Sequence, residues 1–136
     1  MTDFLLDTDT ASRLMRAERA TVNAMRRSGA RSISVSAVTQ SELLYGAHLR
    51  ANNSAIMAAV RAFLTHVTVR AWDQEAAEHH ADIRVKAKAA GRSAGAFDIM
   101  IAAHARALGC TLVTSDKAIS NLKVDGLTVV SWTAKG

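Results

Sequence analysis

Phe4-Leu5-Leu6-Asp7 is a short apolar run closed by a carboxylate, and reading it as a buried strand decides the fold. Similar runs, rich in β-branched residues, stand at 33–35, 67–69, 111–114 and 127–130, which makes five candidate strands. Between them the period changes. Ile56, Val60, Phe63, Leu64 and Val67 recur at helical spacing, as do Ala76, His80, Ile83, Ala87 and Ala90. Gly91 is placed to end the second of these helices, and Gly109 to end a third over about 94–108. Strands alternating with helices require crossovers, hence a three-layer α/β/α sandwich around a mostly parallel five-stranded sheet.

The chain has 136 residues, enough for one well-packed domain over 1–136 and too few for two. Its 27 alanines predict closely packed helices. With 49% hydrophobic and 21% charged residues it reads as globular, and no apolar run approaches the roughly 20 residues that cross a bilayer. The start, Met1-Thr2-Asp3-Phe4, lacks the basic and apolar segments of a signal peptide, so a cytoplasmic location without a membrane partner is expected. Cys110 is the only cysteine, which excludes a disulfide framework and predicts a small core residue. The net charge of +5 favours a polyanionic partner. From Thr10 to Arg70 nine arginines face only Glu18 and Glu42, so the basic surplus lies in the N-terminal half.

In open parallel sheets, ligands bind outside the carboxyl ends of the strands where strand order reverses. Asp7 closes the first candidate strand and Asp116 follows the fourth, Leu112-Val113-Thr114-Ser115-Asp116. Each alone is a good turn residue or helix cap. Glu42 falls with Val38, Tyr45 and Leu49 on one helical stripe, a carboxylate on an otherwise apolar face, for which Arg13 or Arg16 would be the structural partner. Asp98 opens the helix after Ser93-Ala94-Gly95, where the helix dipole favours an acid in any case. Taken together, four carboxylates fall where a parallel sheet would gather them, and such a group repels itself unless a cation sits within it. Oxygen ligands without Cys or a His cluster suit Mg²⁺ or Mn²⁺, the usual apparatus of phosphodiester hydrolysis.

Leu5-Leu6-Asp7-Thr8-Asp9, the run from Val35 to Gly46 containing Thr39-Gln40-Ser41-Glu42, Gly95-Ala96-Phe97-Asp98-Ile99-Met100-Ile101-Ala102-Ala103-His104-Ala105, and Leu112-Val113-Thr114-Ser115-Asp116 resemble the four successive motifs of PIN-domain nucleases. The likeness is nearest to the VapC-type toxins of toxin–antitoxin pairs and covers the whole chain in order and spacing. What the resemblance implies is strand order 3-2-1-4-5 and an Mg²⁺- or Mn²⁺-dependent endoribonuclease. Asp7, Glu42, Asp98 and Asp116 would be its catalytic and metal-holding acids, RNA its substrate, a cognate antitoxin its partner, and a homodimer its usual form. Asp9 stands where the family tends to have Asn or Ser; it adds a carboxylate behind the ligands or caps the next helix.

Further residues complete the expected site. Thr114 and Ser115 are placed to orient Asp116 or hold a metal water, and Lys86, Lys88, Arg92 and Lys117 to meet RNA phosphates. The five histidines show no ligand spacing, and Trp72 and Trp132 read as packing residues. Two rival functions remain. Asp7-Thr8-Asp9 also looks like the first motif of haloacid-dehalogenase-type phosphatases, with Asp7 as nucleophile and Asp9 as acid/base, although few acids follow Asp116 to complete that site. A receiver-like or RNA-binding module without catalysis would share the α/β architecture, yet gives no reason for Glu42 and Asp98 to face one cleft.

Overall fold

The computed structural model describes residues 1–50 and 52–133. Strands β1 (Thr2–Leu6), β2 (Ala30–Ser36), β3 (Thr68–Arg70), β4 (Thr111–Val113) and β5 (Val129–Val130) form one sheet in the order β3-β2-β1-β4-β5. Each pairing is parallel, so the sheet expected to be mostly parallel is wholly so among the described residues. Parallel neighbours need crossovers, and helices supply them. Helices α1 (Thr8–Met15) and α2 (Arg19–Arg27) link β1 to β2, and α3 (Ala37–Leu49) and α4 (Ser54–His66) link β2 to β3. Helices α5 (Gln74–Ala89) and α6 (Ala96–Leu108) link β3 to β4, and α7 (Lys117–Asn121) links β4 to β5. A receiver-like order, 2-1-3-4-5, is thereby ruled out.

Successive residues of β1 face opposite sides of the sheet, which divides the core in two. Leu5 packs with Ile101, Ala102, Leu112 and Ile119 on one face, while Phe4 and Leu6 pack with Val35, Leu43, Val60 and Val113 on the other. Cys110 is a buried member of the first cluster, as expected. Trp132 is buried edge-on against Phe4 at 5.2 Å, and the Trp72 indole donates to the Met100 carbonyl at 3.0 Å, so both tryptophans pack.

Gly91 and Gly109 end their helices in the left-handed region, at φ of 67° and 69°, where a side chain would be strained. Helix α6 starts at Ala96, two residues later than the pattern from 94 suggested, because Gly95 is extended and forms its N-cap. The reading of α3 needs a larger correction. Its buried face is Val38, Thr39, Leu43 and Ala47, whereas Tyr45 and Leu49 of the expected apolar stripe are 65% and 69% exposed. Glu42 therefore stands at the border of the core and does not interrupt it.

Candidate active site

Leu6 pairs with Val113 at the carboxyl ends of β1 and β4, so the residues after them emerge side by side where the strand order reverses. Asp7 is buried and caps α1, its Oδ1 accepting from the Thr10 amide at 2.8 Å. Burial pushes its carboxyl above the ordinary range, and hydrogen bonds from Thr10 and Thr114 pull it partly back. Thr114, also buried, accepts the Asp116 amide at 3.0 Å and sits beside Asp7, so it stands between the first acid and the last. Asp116 caps α7 by accepting from the Ala118 amide at 2.8 Å. As the sequence suggested, Asp7 and Asp116 are helix caps, and the fold sets both caps at one cleft.

The helices bring the other two acids. Thr8 donates from Oγ1 to Glu42 Oε1 at 2.6 Å, with Thr39 Oγ1 3.2 Å from the same hydroxyl. Neither arginine offered as a partner for Glu42 reaches it: Arg13 pairs with Asp9 and Glu18, and Arg16 donates to Ser12. Asp98 lies in the first turn of α6. Its carboxyl is raised to about 6, first by burial, then by a hydrogen bond with Asp116 and by the charges of Asp116, Asp7 and Glu42. Asp116, Asp7 and Glu42 therefore all act on Asp98 across one cleft.

Whether a divalent cation fits can be judged from the donors. All are oxygens, carboxylates with hydroxyls behind them, which suits hard ions. Among the described residues no Lys or Arg forms an ion pair with any of the four acids, leaving their repulsion uncompensated within the chain. The described side chains do not close around one centre as three direct ligands.

Other candidates divide. Asp9 does not cap α1, a role Asp7 fills; it forms an exposed i,i+4 pair with Arg13 at 3.0 Å, lines the same groove as Glu42 and Asp98, and its charge acts on Asp7. Ser115 bonds Ser131 at 3.0 Å instead of Asp116, because β5 lies alongside and offers a hydroxyl. Lys86 is held by Asp82 at 3.1 Å, so the expected phosphate contact has a carboxylate in its place. Lys88 and Arg92 line a shallow depression of about 470 Å³ with Arg84 and Ile99, next in sequence to Asp98. Lys117 is exposed directly after Asp116.

The sequence reading missed Thr8, Thr10 and Thr39, the hydroxyls that hold Glu42 and Asp7, and also the partners of two histidines. His79 Nδ1 accepts from Arg106 at 2.7 Å, and His104 meets Ser36. The visible signal was polar residues at the strand end and first turn of each motif. A groove of about 770 Å³ between α1, α3 and α4 runs to the cluster, with Thr8, Glu42 and Asp98 at its acidic end and Met15, Leu43 and Ile56 along it. No helix among the described residues is long and apolar enough to cross a membrane.

Comparison with known proteins agrees with this geometry. The model of the PIN domain family matches residues 4–125. The chain is 32% identical over 132 residues to the tRNA(fMet)-specific endonuclease VapC of Shigella flexneri, covering 97% of this chain and 99% of that protein. In structure it resembles the DNA-bound VapBC of Salmonella typhimurium, with a TM-score of 0.86, 28% identity and coverage of 97% and 99%. VapBC-1 of nontypeable Haemophilus influenzae gives a TM-score of 0.83 at 26% identity, with coverage of 96% and 98%. The four ordered motifs, the strand order and these matches have one explanation: the chain belongs to the PIN domain family, among its VapC-type nucleases.

Proposed function

We propose that the chain, one PIN domain over 1–136, is the endoribonuclease toxin of a type II toxin–antitoxin pair, and that Asp7, Glu42, Asp98 and Asp116 are its catalytic, metal-holding residues. The observation that carries this is Asp98, raised to about 6 by burial and then by Asp116, Asp7 and Glu42, in a cluster without a cation of its own among the described residues. Mg²⁺ or Mn²⁺ bound there, partly through water, supplies an activated water and neutralises charge on the phosphoryl oxygens. The chain's residues do the rest. Asp7 and Asp116 are fixed by their caps with Thr114 between them, so their carboxylates keep one orientation toward the phosphate. Thr8 donates to Glu42 at 2.6 Å and fixes the orientation of its carboxyl. Asp98, raised to about 6, must give up its proton to act as a ligand.

RNA is the substrate, and the initiator tRNA for which the Shigella relative is named is the first to test. The partners are a cognate antitoxin and a second copy of the chain. The acidic end of the groove suits an antitoxin arginine, which can satisfy two carboxylates at once, while its apolar length suits a helix or extended segment. Tyr45, Leu49 and Phe97, all more than half exposed, offer an apolar face for the homodimer. The test is cleavage of initiator tRNA by the purified protein with Mg²⁺, Mn²⁺ or chelator. Asp7→Asn and Asp98→Asn should each lose cleavage by at least about a hundredfold while remaining folded. Full cleavage by both variants at ordinary Mg²⁺ overturns the assignment.

A further inference from the structure

His104 is a buried imidazole that the acidic cluster does not use, 1% exposed on the α6 face that meets α3. Its Nδ1 lies 2.8 Å from Ser36 Oγ, itself fully buried. Ser36 is the N-cap of α3, and the same oxygen accepts the Val38 amide at 3.1 Å. Nε2 has no hydrogen-bond partner among the described residues. The Ser36 oxygen, which accepts the Val38 amide, keeps its own proton to give, so a neutral imidazole accepts it at Nδ1. Burial lowers the imidazole below its ordinary value, in keeping with this neutral form.

The position of this bond is informative. Glu42 stands six residues beyond Ser36 on α3 (42 − 36), and Asp98 six residues before His104 on α6 (104 − 98). At about 1.5 Å per residue, each carboxylate is about 9 Å along its helix from the Ser36–His104 link. An apolar pair would bury at lower cost but leave the helices free to slide, whereas a hydrogen bond into a helix cap fixes both distance and register. We propose that His104 is a positioning residue which, by locking α6 to the N-terminus of α3 through Ser36, sets the separation of Asp98 and Glu42 for divalent-ion binding. This rests on the metal-nuclease reading above.

The test is Mn²⁺ affinity of the full chain, read by electron paramagnetic resonance of the free ion, beside thermal melts. His104→Leu, close in volume, should weaken Mn²⁺ binding about tenfold, as loss of a partner behind the ligands does elsewhere. His104→Asn puts an amide atom where Nδ1 stood and should restore most of that loss. Ser36→Ala should match His104→Leu, and it carries the test if the leucine variant does not fold. Asn53→Ala removes a comparable cap from α4, where Asn53 accepts the Ala55 amide at 3.1 Å, and should leave affinity within about twofold. Unchanged affinity in folded His104→Leu, or an equal loss in Asn53→Ala, overturns the positioning role. Absence of Mn²⁺ binding in the parent, or binding indifferent to Asp98→Asn, overturns the metal reading and the positioning role with it.

Discussion

Gly95 and Asp98 are in such close approach that a Cβ on the glycine would lie 2.9 Å from the Asp98 Oδ2. Gly95 is the N-cap of α6 and has an ordinary negative φ, so its lack of a side chain serves space and not backbone freedom. The atom it would meet is the end of a side chain, which can swing away. Gly95→Ala should therefore cost little stability, within about 1 kcal/mol, because the backbone tolerates alanine. It should nonetheless reduce metal-dependent cleavage at least about tenfold by turning Asp98 off the cleft. Melts and cleavage rates on the same preparation check this; parental cleavage at parental stability would show that the Asp98 orientation is not needed.

The raised Asp98 carboxyl makes stability depend on pH with a definite sign. Its ordinary value is 3.8 and its folded value about 6. Below about 4 both states are protonated and no penalty exists. Between about 4 and 6 the unfolded chain releases the proton while the folded chain holds it, so metal-free stability falls as pH rises and stays lower above 6. Asp98→Asn should remove that decline and melt a few degrees higher than the parent at pH 7 without metal. Mg²⁺, which favours the ionised cluster, should narrow the difference. Identical melting profiles of parent and variant from pH 4 to 7 would contradict it.

Glu42 tests whether a hydroxyl partner or a cation matters more. Thr8→Val keeps the shape of the side chain and deletes the donor to Glu42 at 2.6 Å. Stability should fall by about 1 kcal/mol, the ordinary worth of such a bond. Cleavage should fall much further, about ten- to a hundredfold, if the bond orients a ligand. Glu42→Gln should lose cleavage with little change in melting. A destabilised Glu42→Gln that cleaves normally would make the residue structural.

Much of this was legible in the sequence, for reasons that differ by element. Leu5-Leu6-Asp7 and Leu112-Val113-Thr114 are runs too apolar to lie anywhere but in a buried parallel sheet, so the order of layers followed from alternation. The four acids were found because each closes a strand or opens or borders a helix, positions a period can mark. The reasoning on Glu42 placed it at the cleft, where it stands, through a wrong premise. Helical periodicity cannot tell a buried apolar stripe from an exposed one, and Tyr45 and Leu49 face outward. Pairings such as Ser115 with Ser131 or His104 with Ser36 depend on contacts 16 and 68 residues apart, which no local pattern encodes. At Lys86 the local pattern did show the partner: Asp82 stands four residues back on the same face.

That last pair gives a clean internal control for RNA binding. If the backbone of the RNA passes over the depression lined by Ile99, the phosphates meet Lys88 and Arg92, and Lys117, exposed next to Asp116 in sequence, is a third candidate contact. Each phosphate contact on a single strand contributes about 0.7 to the slope of log affinity against log salt, through counterion release. Lys88→Gln, Arg92→Gln and Lys117→Gln should each flatten that slope by about this amount and weaken binding alike across RNA sequences. Lys86→Gln should flatten it less, since Asp82, shared with Arg106, already attracts that ammonium. Binding is to be measured on an Asp7→Asn background, so that the RNA survives the titration. Equal slopes for all five proteins would place the RNA backbone elsewhere, and a flattening in Lys86→Gln as large as in Lys88→Gln would reduce the effect to net charge.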